Sequence, residues 1–456
     1  MMVLLTLVLP LLLLIWSVYR GWPILLAAPV MALLAAGLSA EPLMATLTQR
    51  FMPAAGGFVV AFMPLFVLGA VFGKLMEASG SAMAIARSIV ARLGPAQAVP
   101  AVVASCAVLT YGGVSLFVVA FAVYPLATAL FRQAGVSHRL IPAAIALGSF
   151  TFTMSALPGS PAIQNAIPMP YFGTTAFAAP GLGVIAGAIM AVGGLFYLRV
   201  AARSGREPGP ETTPATVVPA ATHLPPLWAT ILPILMVFAV NWALSRIILP
   251  RVDLAYLSAP AWGSATPTQV IGVWALIGAL ALANVVLLGL TWRRLDTPQK
   301  VLSAGSEAAL LPLFNTAALV GFGAVIAGLS AFDVLSAATQ DMPGGVLTSL
   351  AASATLLAGL TGSASGGMSI ALDTLGAEYL AAAIAEGVDP AALHRIVALA
   401  TGGLDALPHN GAVVTLLGIA GLTHREAYGP IFVVAVVIPL AALLAALVLA
   451  THFGTF

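Results

Sequence analysis

Asp405 and His409 flank Pro408 at a spacing of four, and Asp373 lies four positions beyond Ser369. A carboxylate or imidazole at membrane depth is costly and usually faces an internal pathway. A group whose proton affinity changes with solvent access can couple proton movement to solute movement, and these three residues could do so. Each also has a structural reading: His409 as a neutral tie across a helix break, Asp405 as a helix cap or polar partner, and Asp373 as a residue near the outer mouth. Asn410, Ser160, Gln164 and Asn165 bring neutral donors and acceptors, and Thr361, Ser363 and Ser365 bring more. Such groups suit hydroxyls on a small solute, although some would instead cap helices or bond backbone carbonyls. Gly112-Gly113-Val114-Ser115 is matched by Gly366-Gly367-Met368-Ser369. These glycines let backbone approach a ligand closely, and Ser115 and Ser369 fall where a helix N-terminus would favour an anion. Small-residue helix packing is the alternative for an isolated double glycine; the recurrence favours ligand approach. No nucleophile with an adjacent base and no metal-ligand cluster stands out. The single cysteine, Cys106, excludes an intrachain disulfide framework, and no organic cofactor is indicated.

These residues need elements to hold them, and composition says which kind. Of 456 residues, 61% are hydrophobic and 7% charged, far from the roughly 50% and 25% of soluble domains. A formal charge of +2 leaves no basic surface for nucleic acid. The chain reads as an all-α polytopic membrane protein, with the lipid bilayer as its surroundings. Stretches near 3–19, 22–40, 56–73, 176–198, 227–248, 269–291, 307–329 and 428–450 are long enough to cross it. The first is expected to remain uncleaved, because it lacks a preceding cation and ends in Trp16, Tyr19 and Arg20. Shorter arms, 98–110 with 116–131 and 346–361 with 369–385, predict two re-entrant hairpins turning at Tyr111 to Ser115 and at Gly362 to Met368. Two broken helices are predicted at 139–165 and 392–420, interrupted by Leu157-Pro158-Gly159-Ser160-Pro161 and by Asp405 to Gly411. Lys74, Glu77, Arg87 and Arg92 form an amphipathic interfacial segment, and Glu307 is expected to complement a helix start.

Threading ten crossings and two hairpins from an outside N-terminus puts thirteen of seventeen Lys and Arg inside, leaving Arg50, Arg246, Arg251 and Arg395 outside. The expected organisation is a first membrane repeat at 1–200 with a cytoplasm-entering hairpin. A cytoplasmic linker at 201–226 follows, then a second, inverted repeat at 227–456 whose hairpin enters from outside. Gly135-Val136 returns as Gly387-Val388 and Ala156-Leu157-Pro158 as Ala406-Leu407-Pro408, so three matches drift from 254 to 252 to 250 residues apart. Inverted repeats give a transporter two related conformations facing opposite sides.

The segment Thr401-Gly402-Gly403-Leu404-Asp405-Ala406-Leu407-Pro408-His409-Asn410-Gly411-Ala412-Val413, with Thr361 to Ser369 in support, resembles the gluconate:proton symporter (gluconate permease) family within the ion transporter superfamily. The resemblance covers most of the chain and is sharpest at 105–170 and 358–425. It implies a multi-pass bacterial inner-membrane symporter importing gluconate or a related small hydroxy monocarboxylate with protons. It further implies a homodimer whose transport domains move like elevators. Carried over residue by residue, the substrate would lie near Gly112, Gly113, Ser115, Pro158, Gly159, Ser160, Asn165, Ser363, Ser365, Gly366, Gly367, Ser369 and Asn410, with Asp405, His409 and Asp373 as coupling groups. Ala364 and Ala412 offer no side-chain hydrogen bond, and the sodium-binding Ser-Asn-Thr motif of the dicarboxylate branch is not evident. Two other readings stand beside it: a sodium-coupled di- or tricarboxylate carrier and a membrane-embedded enzyme.

Overall fold

The computed structural model describes residues 2–204, 224–329, 344–408 and 410–456, and the only regular structure among them is helical. His409 and most of the expected linker lie outside the described residues. Helices follow from the apolar composition, because a chain surrounded by hydrocarbon must satisfy each backbone N–H and C=O within its own segment. The first half contains α1 (Met2–Tyr19), α2 (Ile24–Leu38), α3 (Leu43–Ala78), α4 (Ser81–Leu93), α5 (Ala98–Tyr111), α6 (Leu116–Ala134), α7 (Ile141–Ser149) and α8 (Pro180–Ser204). The second contains α9 (Leu227–Arg251), α10 (Pro267–Thr291), α11 (Pro298–Ala327), α12 (Gly345–Thr361), α13 (Ala364–Glu386), α14 (Pro390–Thr401), α15 (Gly411–Ala420) and α16 (His424–Phe453).

Eight of the described helices are long and apolar enough to cross a membrane: α3, α6, α8, α9, α10, α11, α13 and α16. The pair α4 and α5, bent by 106°, passes the same test together. The full crossing expected at 22–40 shrinks to the 15 residues of α2, roughly 22 Å. Extended backbone at Pro23 opens that helix, and a turn at Ser39 and Ala40, the latter with φ +57°, closes it. The second hairpin arms are longer than expected: α6 has 19 residues and α13 has 23, so length alone permits either to cross.

The centre of the scaffold is the contact between α3 and α11, with α2 against α11 and α10 against α3 and α9. Small residues allow the close approach. A Cβ at Gly305 would lie 2.8 Å from the Val71 Cα, and one at Gly321 would lie 2.8 Å from the Phe51 carbonyl. Glu307 is not at a helix start: α11 begins nine residues earlier at Pro298, and the carboxylate accepts the Ser303 hydroxyl at 2.9 Å.

Both predicted hairpin turns interrupt helix, between Tyr111 and Leu116 and between Thr361 and Ala364. The second turn is shorter than expected. Gly362 and Ser363 alone make it, and Gly366, Gly367, Met368 and Ser369 are helical. Those glycines stay in helix because neighbours occupy the space a side chain would need. A Cβ on Gly366 would meet Leu319 at 2.4 Å, and one on Gly367 would meet the Ala358 backbone at 2.3 Å. The local geometry therefore pairs Gly113 with Gly362. Each has positive φ, and the following N–H donates to the carbonyl five residues back, Val114 to Leu109 and Ser363 to Ala358. Gly135 with Gly387 and Gly173 with Gly421 repeat the same helix-ending motif, their following residues bonding Phe131 and Ala383, Met169 and Leu417.

Candidate functional site

Each of the two turns, after α5 and after α12, is tied to the broken helix of its own half. In the first, the Tyr111 hydroxyl donates to the Pro158 carbonyl at 2.6 Å while its ring stacks on Phe238 at 4.4 Å. Gly113 lies against Pro161, where a Cβ would come within 2.9 Å, and a Cβ on Gly112 would strike Ile234 at 2.9 Å. Ser115 is exposed at the N-cap position of α6, and its side chain caps nothing. The α6 first-turn N–H groups consequently lack a side-chain acceptor at their cap. In the second half, the Asn410 amide donates to the Gly362 carbonyl at 2.9 Å. The same side chain caps α15 by accepting from Ala412 and Val413 at 2.6 and 3.1 Å.

The second turn carries a small group of hydroxyls. Ser363 caps α13 by accepting from the Gly366 N–H at 3.1 Å, and Ser365 lies 3.4 Å from both the Ser363 and Thr316 hydroxyls. Ser363 and Ser365 are half-buried and Thr316 is buried. Ser369 is further on, fully buried on α13 rather than at the turn, and its hydroxyl has no protein partner. The Gln164 carbonyl oxygen beside the first break is likewise buried without one. The short helix Ile163–Ala166 that carries Gln164 packs on α13.

At the second break, Asp405 sits half-buried in the turn Leu404–Ala406. Tyr428 donates to the Ala406 carbonyl at 3.1 Å, His424 donates to the Pro408 carbonyl at 2.9 Å, and Thr355 donates to the Ala400 carbonyl at 3.0 Å. These bonds satisfy carbonyls that the break removes from helix. Asp373 is apart from this turn, exposed on α13.

The first break is organised by two residues that sequence reasoning missed, His394 and Arg395 on α14. Both are fully buried. The charge pattern places Arg395 on the outer side; in the structure its guanidinium is buried and donates to the carbonyls of Ser155, Ala176 and Ala178 at 2.9 to 3.4 Å. Among the described residues Arg395 is in no ion pair, and carbonyl dipoles are what solvate its charge. His394 accepts from Thr174 at 2.6 Å and donates to the Asn165 carbonyl oxygen at 3.1 Å, which fixes the Nε2–H tautomer. Asn165 spends its amide on the carbonyls of Ser160 and Ala176, both at 3.0 Å. Gly159, at φ +82°, donates to the Ala176 carbonyl at 2.8 Å, and the buried Ser160 hydroxyl accepts from Ala162. Asn165, Ser160 and Gly159 are thus brought together by one internal network, whereas Ser363, Ser365 and Asn410 meet around the second turn. Arg395 was missed because its acceptors lie 217 to 240 residues away in sequence and are backbone atoms, which leave no side-chain signature.

The fold is that of an all-α polytopic membrane protein with broken helices, and its relatedness to a bacterial transporter makes it a multi-pass secondary transporter of the bacterial inner membrane. The chain belongs to the family of the uncharacterized transporter YxjC of Bacillus subtilis (strain 168), to which it is 40% identical over 446 residues, covering 93% of this chain and 94% of that protein. No protein-family model matches it. Among solved structures it resembles the YdaH transporter of Alcanivorax borkumensis, described as having an unusual topology, with a TM-score of 0.51 and 18% identity over 88% of each chain. That likeness is one of fold.

Proposed function

We propose that this transporter is a proton-coupled symporter importing gluconate or a related small hydroxy monocarboxylate by alternating access. The observation that carries the reading is the matched pair of assemblies, each a hairpin turn bonded to a broken helix: Tyr111 to Pro158 in one half and Asn410 to Gly362 in the other. The register supports two inverted repeats, since the helix-ending glycines pair as 113 with 362, 135 with 387 and 173 with 421. In inverted-repeat transporters, substrate lies where such discontinuous segments converge. The open first turn of α6 can receive a carboxylate, while Thr316, Ser363 and Ser365, with the unpartnered Ser369 and Gln164, supply partners for hydroxyls. Arg395 is committed to the carbonyls of Ser155, Ala176 and Ala178, which favours a single negative charge on the substrate over two or three. Asp405, half-buried at the second break, is the coupling group this reading requires.

Sealed proteoliposomes test it. Labelled gluconate should accumulate under an inward proton gradient, lose accumulation with a protonophore, and be displaced by short hydroxy monocarboxylates but not by succinate or citrate. Uptake that follows sodium and ignores the proton gradient, or competition by succinate or citrate alone, would contradict it.

A further inference from the structure

A basic cavity lies away from both helix breaks. It encloses about 590 Å³ between the turn preceding α5, the end of α6 and the end of α8, and is lined by Arg199, Arg203, Gln97, Gln133 and Gly135 with no acidic residue. Arg199 and Arg203 are four apart, so they project from one face of α8. Arg199 donates to the Gln97 side chain at 3.1 Å, which fixes one guanidinium at the cavity wall. The sequence supplies no local counter-charge: from Ala78 to Arg206 there is no Asp or Glu, while Arg87, Arg92, Arg132, Arg139, Arg199 and Arg203 all fall in that stretch. Neither Arg199 nor Arg203 belongs to an ion pair among the described residues.

The surface beside the cavity identifies the kind of anion. Val192 and Phe196, 67% and 70% exposed, lie on the same face of α8 as the two arginines, about two turns and one turn from Arg199 towards its middle. The face is therefore apolar along the span and cationic at its end, which matches an acyl chain leading to a charged headgroup. We infer that this cavity binds the phosphate group of an anionic phospholipid, with Arg199 and Arg203 on the phosphate and Val192 and Phe196 along the acyl chain. Gln97 and Gln133 are placed to bond headgroup oxygens beyond the phosphate.

Native mass spectrometry of the full, delipidated chain in detergent, titrated with phosphatidylglycerol or phosphatidylcholine, tests the assignment. The wild type should retain phosphatidylglycerol preferentially. Retention should fall about fivefold for each arginine removed, in Arg203→Gln and in the double variant Arg199→Gln/Arg203→Gln. Arg251→Gln, which does not line the cavity, should retain the lipid as the wild type does. Arg203 makes no side-chain hydrogen bond among those described, so its single variant remains informative if the double variant misfolds. Equal retention of the two lipids, or unchanged retention in Arg203→Gln, would overturn the inference. Displacement of the lipid by millimolar inorganic phosphate would overturn a lipid as the occupant.

Discussion

Arg395 donates to three backbone carbonyls that the first broken helix cannot satisfy internally, so its removal should be felt as unpaired acceptors rather than as lost charge. Each buried acceptor left unpaired costs about 1–3 kcal/mol. Arg395→Met should therefore lower the unfolding midpoint of the detergent-solubilised protein, by an amount corresponding to roughly 3 kcal/mol or more. An unchanged midpoint would show that the guanidinium does not hold the break. Asp405 is argued on different grounds, because it lies half-buried at a turn and belongs to no ion pair among the described residues. Asp405→Asn should abolish accumulation driven by a proton gradient while counterflow exchange persists. Equal loss of both, with reduced folded protein, would assign the carboxylate to structure. The sequence made Asp405 visible through its Pro408 neighbour, but Arg395 and His394 read only as polar residues at the outer start of the second broken helix. Their meaning depends on carbonyls from the other half of the chain.

The turn between α12 and α13 shows why element boundaries need the packing around them. A double glycine reads as a turn because glycine lowers helix propensity by about 1 kcal/mol, yet Gly366 and Gly367 are helical and pressed against Leu319 and α12. Gly367→Ala should force α12 and α13 apart and destabilise the protein by about 1–3 kcal/mol. Gly418→Ala, where no atom lies within 4 Å of the added carbon, should leave the midpoint where it was or raise it slightly. Equal effects of the two substitutions would mean that the close crossing is not what places these glycines. Asn410 holds two elements at once, capping α15 and bonding the Gly362 carbonyl. Asn410→Ala should remove both roles, at about 1 kcal/mol for the cap alone. Asn410→Asp keeps the cap acceptor and loses the donor to Gly362. If the turn must move with the broken helix, Asn410→Asp should reduce transport while keeping most of the stability; intact transport would mean that this bond is incidental.

At the level of the whole molecule, hydrophobic runs, prolines and glycines made the helical membrane architecture and the places where helix is interrupted readable, but not the extent of the second turn. They did not reveal that α6 and α13 are long enough to cross, or that α2 is short, because arm length depends on where a cap forms: extended backbone at Pro23 in one case, the Ser363 side chain in the other. The account rests on two hairpins that open to opposite sides of the membrane. Single cysteines placed at Ala96 and Gln133, the exposed ends of the first hairpin, and at Thr348 and Ala385, near the ends of the second, test this directly in a Cys106→Ala background. A membrane-impermeant thiol reagent should label the first two only from the cytoplasmic side and the last two only from outside. Labelling of Ala96→Cys and Gln133→Cys from opposite sides, or of all four positions from one side, would contradict the account.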